Sequence, residues 1–163
     1  MSECCMVNKA LPAAHGVVNC PVSGTRSKQV GLLTVKSLVG HLEFAMPAAQ
    51  YYFCTAPGCD VVYFPSNPEA PAFSRNDLLV RVGAKESDEE ASVCYCFGVS
   101  RRHIREEVEA AGGSSVAEKI KAEIQAGRCA CEVKNPSGKC CLGDVTRAVL
   151  EDLKISRPKS AKG

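Results

Sequence analysis

Residues 93–99 read VCYCFGV and residues 135–144 read NPSGKCCLGD. Each stretch sets cysteines at the edge of a helical pattern. After the first, Ser100 can cap a helix whose apolar residues Ile104 and Val108 stand four apart, and Gly112-Gly113 stops it. Ser115 with Glu118 predicts a capping box for a second helix, with Val116, Ile120 and Ile124 on one face and Gly127 at its end. After the second stretch a third helix is expected over about residues 144–154, with Val145, Ala148, Val149 and Leu153 facing inward and Pro158 beyond its end. Three short helices bury too little to be stable by packing alone, so this half of the chain needs a staple.

The cysteines are placed to supply one. Cys94 and Cys96 precede the first helix, Cys129 and Cys131 follow the second, and Cys140 and Cys141 open the third. Asn135-Pro136-Ser137-Gly138 is a β-turn signature that folds the chain back, so thiols on its two sides can meet. Iron–sulfur clusters take four cysteine thiolates, and a helix N-terminus favours thiolate over thiol through its free N–H groups, from which Cys141 would gain. The same thiols also suit a structural zinc, and buried free cysteines can simply pack as small apolar side chains.

The whole chain sets the frame. It has 163 residues, enough for one ordinary domain or two small ones. Hydrophobic residues make up 45% and charged residues 23%, a globular balance. A net charge of +2 gives no footprint for nucleic acid. No run approaches the length of a membrane span, and residues 1–8 show no signal-peptide pattern, so a cytoplasmic protein without membrane insertion is expected. Eleven cysteines in a reducing compartment indicate metal rather than disulfides. The acidic stretch from Glu86 to Glu90 reads as a solvated linker between two cysteine sets, and Lys154, Arg157, Lys159 and Lys162 as a basic tail.

The N-terminal half reads as β-rich. Strands are expected over residues 30–39, 50–54, 59–64 and 78–82. Between Cys54 and Cys59, Thr55-Ala56-Pro57-Gly58 demands a turn, giving a hairpin knuckle with two thiols on its neck, a geometry shared with zinc ribbons. Core cysteines packed in a hairpin are the plain alternative.

VCYCFGV, followed by a helical hairpin and a second cysteine group, resembles the bacterioferritin-associated ferredoxin-like domain. The segments VCYCFGVS, NPSGKCCLGD and YYFCTAPGCDVVYF together are similar to the N-terminal zinc and 2Fe–2S portion of CopZ-type copper chaperones, over about residues 20–153. The resemblance implies an α+β chain. Residues 1–85 would be a small β-rich zinc-binding module, 86–92 a linker, 93–155 a three-helix 2Fe–2S domain and 156–163 the basic tail. It assigns the cluster to Cys94, Cys96, Cys131 and Cys141, with Cys129 and Cys140 as the alternatives to the last two. It assigns zinc to Cys20, Cys54 and Cys59. Where the family has C-P-x-C, this sequence has Cys20-Pro21-Val22-Ser23, and serine is a poor zinc ligand. Cys5 or Cys4 is the preferred fourth ligand, with His15 and His41 as further candidates. The Cys4-Cys5 pair also reads as a separate soft-metal trap or as idle thiols.

The function expected from the resemblance is single-electron transfer in copper or other soft-metal handling, including reduction of copper(II) to copper(I). It implies a copper chaperone or copper-transporting ATPase as partner, and an electron donor. A non-redox metal-stapled binding module and a soft-metal store or sensor are the competing classes. No M-x-C-x-x-C copper loop occurs in the sequence, which favours electron transfer over chaperoning. No G-x-S-x-G, phosphate loop or carboxylate pair marks a dedicated enzyme, and only three histidines are present.

Overall fold

The structure, a computed structural model, describes residues 17–42 and 46–156. Its first half is an antiparallel sheet in the order β1-β2-β3-β4-β5, built from Val18–Asn19, Arg26–Val30, Tyr51–Phe53, Val61–Pro65 and Phe73–Ser74. Side chains alternate across a strand, so Tyr51-Tyr52-Phe53 serves both faces. Tyr51 and Phe53 join Val30, Val35, Val62, Tyr63 and Phe73 in one cluster, with the Tyr51 and Phe73 rings stacked at 5.7 Å. Tyr52 points the other way, stacks on Phe64 at 5.5 Å, and shares a second cluster with Cys20, Cys54 and Cys59. The three thiols thus sit on their own small apolar floor.

Two of the expected strands are corrected. Over residues 30–39 the strand ends at Val30, and Leu32–Leu38 forms a helix, α1, that buries Thr34, Val35 and Leu38. Those buried positions recur at helical spacing, and tertiary packing of that face overrides the β-branched propensity of the segment. Residues 78–82 make only an isolated bridge, Val39 to Leu78, with Leu79 exposed and Val82 buried. The segment begins beyond a single turn of 3-10 helix, Arg75–Asp77, whose Ser74 and Asp77 form a capping box.

The second half opens with the two-residue-paired hairpin β6 (Ser92–Cys94) and β7 (Val99–Ser100). Four helices follow: α2 (Arg101–Ala111), α3 (Val116–Gln125), α4 (Cys131–Lys134) and α5 (Leu142–Ser156). Ile104, Val108, Val116, Ile120, Val145 and Val149 form the core with Cys94, Cys131 and Cys141 embedded in it. Ser100 caps α2 as expected, accepting from the His103 N–H at 3.3 Å. The capping box at Ser115 and Glu118 does not form. Instead the Glu107 carboxylate accepts from Ser114 Oγ at 2.8 Å and from the Ser115 N–H at 3.1 Å, and Ser114 Oγ accepts from the Val116 N–H. A carboxylate from the preceding helix out-competes the local cap because it takes two donors at once. The short helix α4 is an addition to the three expected, and α5 begins two residues earlier than Asp144.

The halves are bound to each other. Tyr63 donates its buried hydroxyl to the Pro136 carbonyl at 2.6 Å, and Thr34 donates to the Glu132 carbonyl at 2.7 Å. The turn they grip is the one read from the sequence: Gly138 N–H closes onto Asn135 O, Ser137 N–H onto Asn135 Oδ1, and Asn135 Nδ2 donates to Lys139 O. Gly138 has φ +68°, and a side chain there would also meet Thr34 Oγ1 at 2.6 Å. The acidic run is engaged rather than free. Glu86 and Asp88 pair with Arg81, Glu90 with Arg102 at 2.5 Å, and Glu89 with Arg105. Each such surface pair contributes little, but together they bridge cations from both halves.

Candidate metal centres

The first centre is built by the sheet. Cys20 follows β1 in a tight turn, where its N–H donates to the Thr25 carbonyl at 2.9 Å and its carbonyl accepts from the Gly24 N–H at 2.8 Å. Cys54 leaves β3 and Cys59 enters β4. The knuckle between them is fixed by Cys54 N–H to Val62 O at 2.9 Å and Cys59 N–H to Ala56 O at 3.2 Å. The three sulfurs all lie within 4.8 Å of one another and all three residues are buried. Cys20 and Cys59 Sγ are 3.9 Å apart. Sulfurs bound at about 2.3 Å on a tetrahedral zinc sit about 3.8 Å apart, so the spacing fits one ion. Ser23, standing where the family pattern has a second cysteine, is exposed and places its hydroxyl 3.4 Å from Cys54 Sγ on the open side of the trio.

The thiols differ electrostatically. Burial pushes the Cys20 thiol up, but hydrogen bonds from the Ser23 side chain and the Ser23 and Val22 backbone outweigh it, leaving it lowered to about 7. Burial raises the Cys59 thiol, with its neighbours Cys20 and Cys54 adding to the shift. On the inner side of the trio lies a residue that sequence reasoning assigned to the edge of a linker. Lys85 is 4% exposed and directs its ammonium at Ala56 O and Cys59 O, both at 2.9 Å, and at Cys54 Sγ, at 3.7 Å. Nothing local to residues 81–90 signals this, because the burial of Lys85 depends on the sheet it folds against. His41 is exposed, acts on the Asp77 carboxylate and is not part of the group. Cys4, Cys5 and His15 lie outside the described residues, as does the tail from Arg157.

The second centre is built at helix edges. Cys94 ends β6, Cys96 lies in the hairpin turn, Cys131 opens α4 and Cys141 immediately precedes α5. The sulfurs form two pairs, Cys94 with Cys141 at 2.9 Å and Cys96 with Cys131 at 3.5 Å. Cys131 also acts electrostatically on the Cys141 thiol and raises it. Backbone donors converge on the sulfurs: Ala130 N–H on Cys96 at 3.2 Å, Cys141 N–H on Cys131, and the Phe97 and Cys96 N–H groups on Cys94. The hydrogen bond from Cys141 lowers the Cys94 thiol to about 6 against the effect of burial. Burial raises Cys131 to about 11, and the Cys141 thiol is raised by donating to Cys94 and by its own burial. Cys140 is exposed and Cys129 is half-buried, and neither touches another cysteine sulfur among the described residues within hydrogen-bond range.

The fold as a whole has a solved counterpart. The X-ray structure of the Archaeoglobus fulgidus CopZ N-terminal domain superposes with a TM-score of 0.65 at 34% identity, over 80% of this chain and 96% of that one. The chain belongs to the family of the CopZ N-terminal domain. The Archaeoglobus fulgidus protein named copper chaperone CopZ is 36% identical over 126 residues, which span 77% of this chain and 58% of the relative. The present chain therefore spans little more than half the length of that CopZ. The CopZ family model described as a zinc-binding domain matches residues 17–79, a stretch that contains Cys20, Cys54 and Cys59 and stops short of Lys85. The trio is thus a three-cysteine group within a zinc-binding domain and suits Zn2+ or another soft metal. No helix among the described residues is long and apolar enough to cross a membrane.

Proposed function

We propose that this chain carries zinc on Cys20, Cys54 and Cys59 and a 2Fe–2S cluster on Cys94, Cys96, Cys131 and Cys141, and that it passes single electrons in copper handling. The observation that carries the reading is the pairing of four thiols in the helical half. A mononuclear ion draws its ligands into one mutually close set, as at the first centre, whereas a two-iron cluster takes its four thiolates over two metal atoms. Cys94 with Cys141 and Cys96 with Cys131 supply two pairs, with two bystander cysteines set apart from them. When bound, such a cluster supplies one-electron chemistry. The chain's own part is to hold charge. The N–H groups of Phe97, Cys96, Ala130 and Cys141 offset the thiolates, and hydrogen bonds to cluster sulfurs are among the features that set a potential.

Copper enters through kinship: the relative that shares this portion is named a copper chaperone. A copper chaperone or a copper-transporting ATPase is then the acceptor side, and a separate donor supplies the electron. The test is to purify the chain anaerobically after iron-replete expression. About two irons, two acid-labile sulfides and one zinc per chain are expected. Zinc without iron overturns the cluster. Dithionite-reduced protein freed of excess reductant should then convert about one copper(II) to copper(I) per chain, trapped by a cuprous chelator. Reduced protein that leaves copper(II) unchanged removes copper from the proposal.

A further inference from the structure

Lys85 is the one buried lysine of the described chain, and nothing in the pairing of the two centres requires it. An ammonium has three donors and no acceptor. Lys85 spends two of them on carbonyls that can only accept, those of Ala56 and Cys59, and aims the third at Cys54 Sγ. Ala56 and Cys59 both belong to the knuckle, so the ammonium is fixed by the same turn that sets the thiols. The segment delivering it is fixed as well. Gly83 opens the single-turn 3-10 helix Gly83–Lys85 and donates its N–H to Tyr95 Oη at 2.7 Å, and a side chain at Gly83 would meet the Ser92 carbonyl at 2.1 Å. Lys85 is therefore held from both sides in one position.

The charge count gives this position a purpose. A divalent ion on three thiolates leaves one uncompensated negative charge in a buried, apolar-floored site, and a buried unpaired charge is costly. A fourth cysteine would deepen the deficit. A buried ammonium removes it. We propose that Lys85 is a positioning residue of the Cys20/Cys54/Cys59 site: its fixed ammonium offsets the third thiolate, so that the ion is held by three cysteines and an oxygen on the Ser23 side, and no fourth cysteine is recruited. The inference rests on zinc binding at the trio and deepens it.

The first arm uses the zinc-loaded wild-type chain. X-ray absorption at the zinc edge should give three sulfur ligands and one oxygen, unchanged in Cys4→Ser/Cys5→Ser. Four sulfurs that fall to three in that double variant overturn the proposal. The second arm compares Lys85→Gln, which keeps donors without charge, with Lys85→Met, which keeps length without either. Both should lose zinc affinity by about 10–100-fold in competition with a chromophoric chelator, the range for removing a residue that supports a ligand. Cobalt(II) added at the same concentration to either variant should give weaker sulfur-to-cobalt charge transfer than in the wild type, because less of the ion is bound once the ammonium beside Cys54 is removed. A Met variant that binds like wild type, or a Gln variant that retains affinity while Met loses it, overturns the charge role. Should the variants fail to fold, the wild-type ligand count decides. A wild-type chain that takes up no zinc refutes the underlying reading instead.

Discussion

The two halves of the molecule gather cysteines by different means. In the sheet, Cys20, Cys54 and Cys59 converge because two turns bring three strand ends to one point, and the sulfurs form a single compact trio with an ammonium behind it. In the helical half the sulfurs come from a hairpin and from the starts of two helices, and they form two pairs rather than one set. Strand ends spaced about 4.8 Å apart deliver thiols to a point, whereas elements meeting around a core deliver them into it from several sides. The difference teaches that the number of cysteines is a poor guide to the kind of centre. Their mutual spacing and the groups packed against them distinguish the compact trio from the two pairs.

The comparison breaks most sharply at the ligands. Ser at Cys94, Cys96, Cys131 or Cys141 should abolish the visible absorption and the bound iron. Ser at Cys129 or Cys140 should leave both nearly unchanged, as read by spectrum and iron content. Because metal binding contributes to folding, the first group should also lose far-UV helix signal. If Cys129→Ser bleached the protein while Cys131→Ser did not, the pairing described here would be the wrong one.

Independence of the two centres is the next point to press. Cys54→Ser should bring zinc close to zero while iron stays near two per chain, since no cysteine is shared between the sites. Co-loss of iron, measured by elemental analysis of anaerobic samples, would mean that the trio organises the helical half as well. Gly83→Ala tests the same join without touching a ligand. A Cβ there would overlap the Ser92 carbonyl, so backbone must move, at a cost of about 1–3 kcal/mol in denaturant unfolding. A stability equal to wild type would show that the join is slack.

The smallest effect concerns the helical half alone. The Ser114 hydroxyl, with the Ser115 N–H and Lys119, holds the Glu107 carboxyl below its ordinary value of 4.5. A lowered folded value contributes stability that is fully present above the ordinary value and is lost as pH falls through the folded one. Glu107→Gln should therefore cost about 0.5 kcal/mol near neutral pH, the scale of exposed caps and ion pairs, and the gap should close in acid. Thermal unfolding of both proteins across that pH range checks the sign: a gap that widens in acid contradicts the assignment.

Much of this was legible in the residue order, and the reasons differ by element. The turn Asn135-Pro136-Ser137-Gly138 and the knuckle around Pro57-Gly58 are local: backbone preferences of proline, glycine and asparagine act over four residues and survive any tertiary context. Helices α2 and α3 were legible from glycine stops and apolar spacing. Helix α1 was not, since Leu32–Leu38 carries both helix and strand signals and only the face buried against the sheet chooses between them. The choice of Glu107 over Ser115 as the cap of α3 was likewise beyond local reading, because the carboxylate comes from the previous helix.

The sequence by itself therefore determined the cysteine inventory, its division into two sets and the turns that let each set close. Those properties follow from residue chemistry and short-range backbone sterics. The tertiary structure alone decided which thiols are neighbours, that Cys140 is exposed and Cys129 half-buried, and that Lys85 is buried against the trio. Pair distances and burial are fixed by contacts between elements distant in the chain, where the cost of an uncompensated buried charge, rather than any local preference, selects the arrangement.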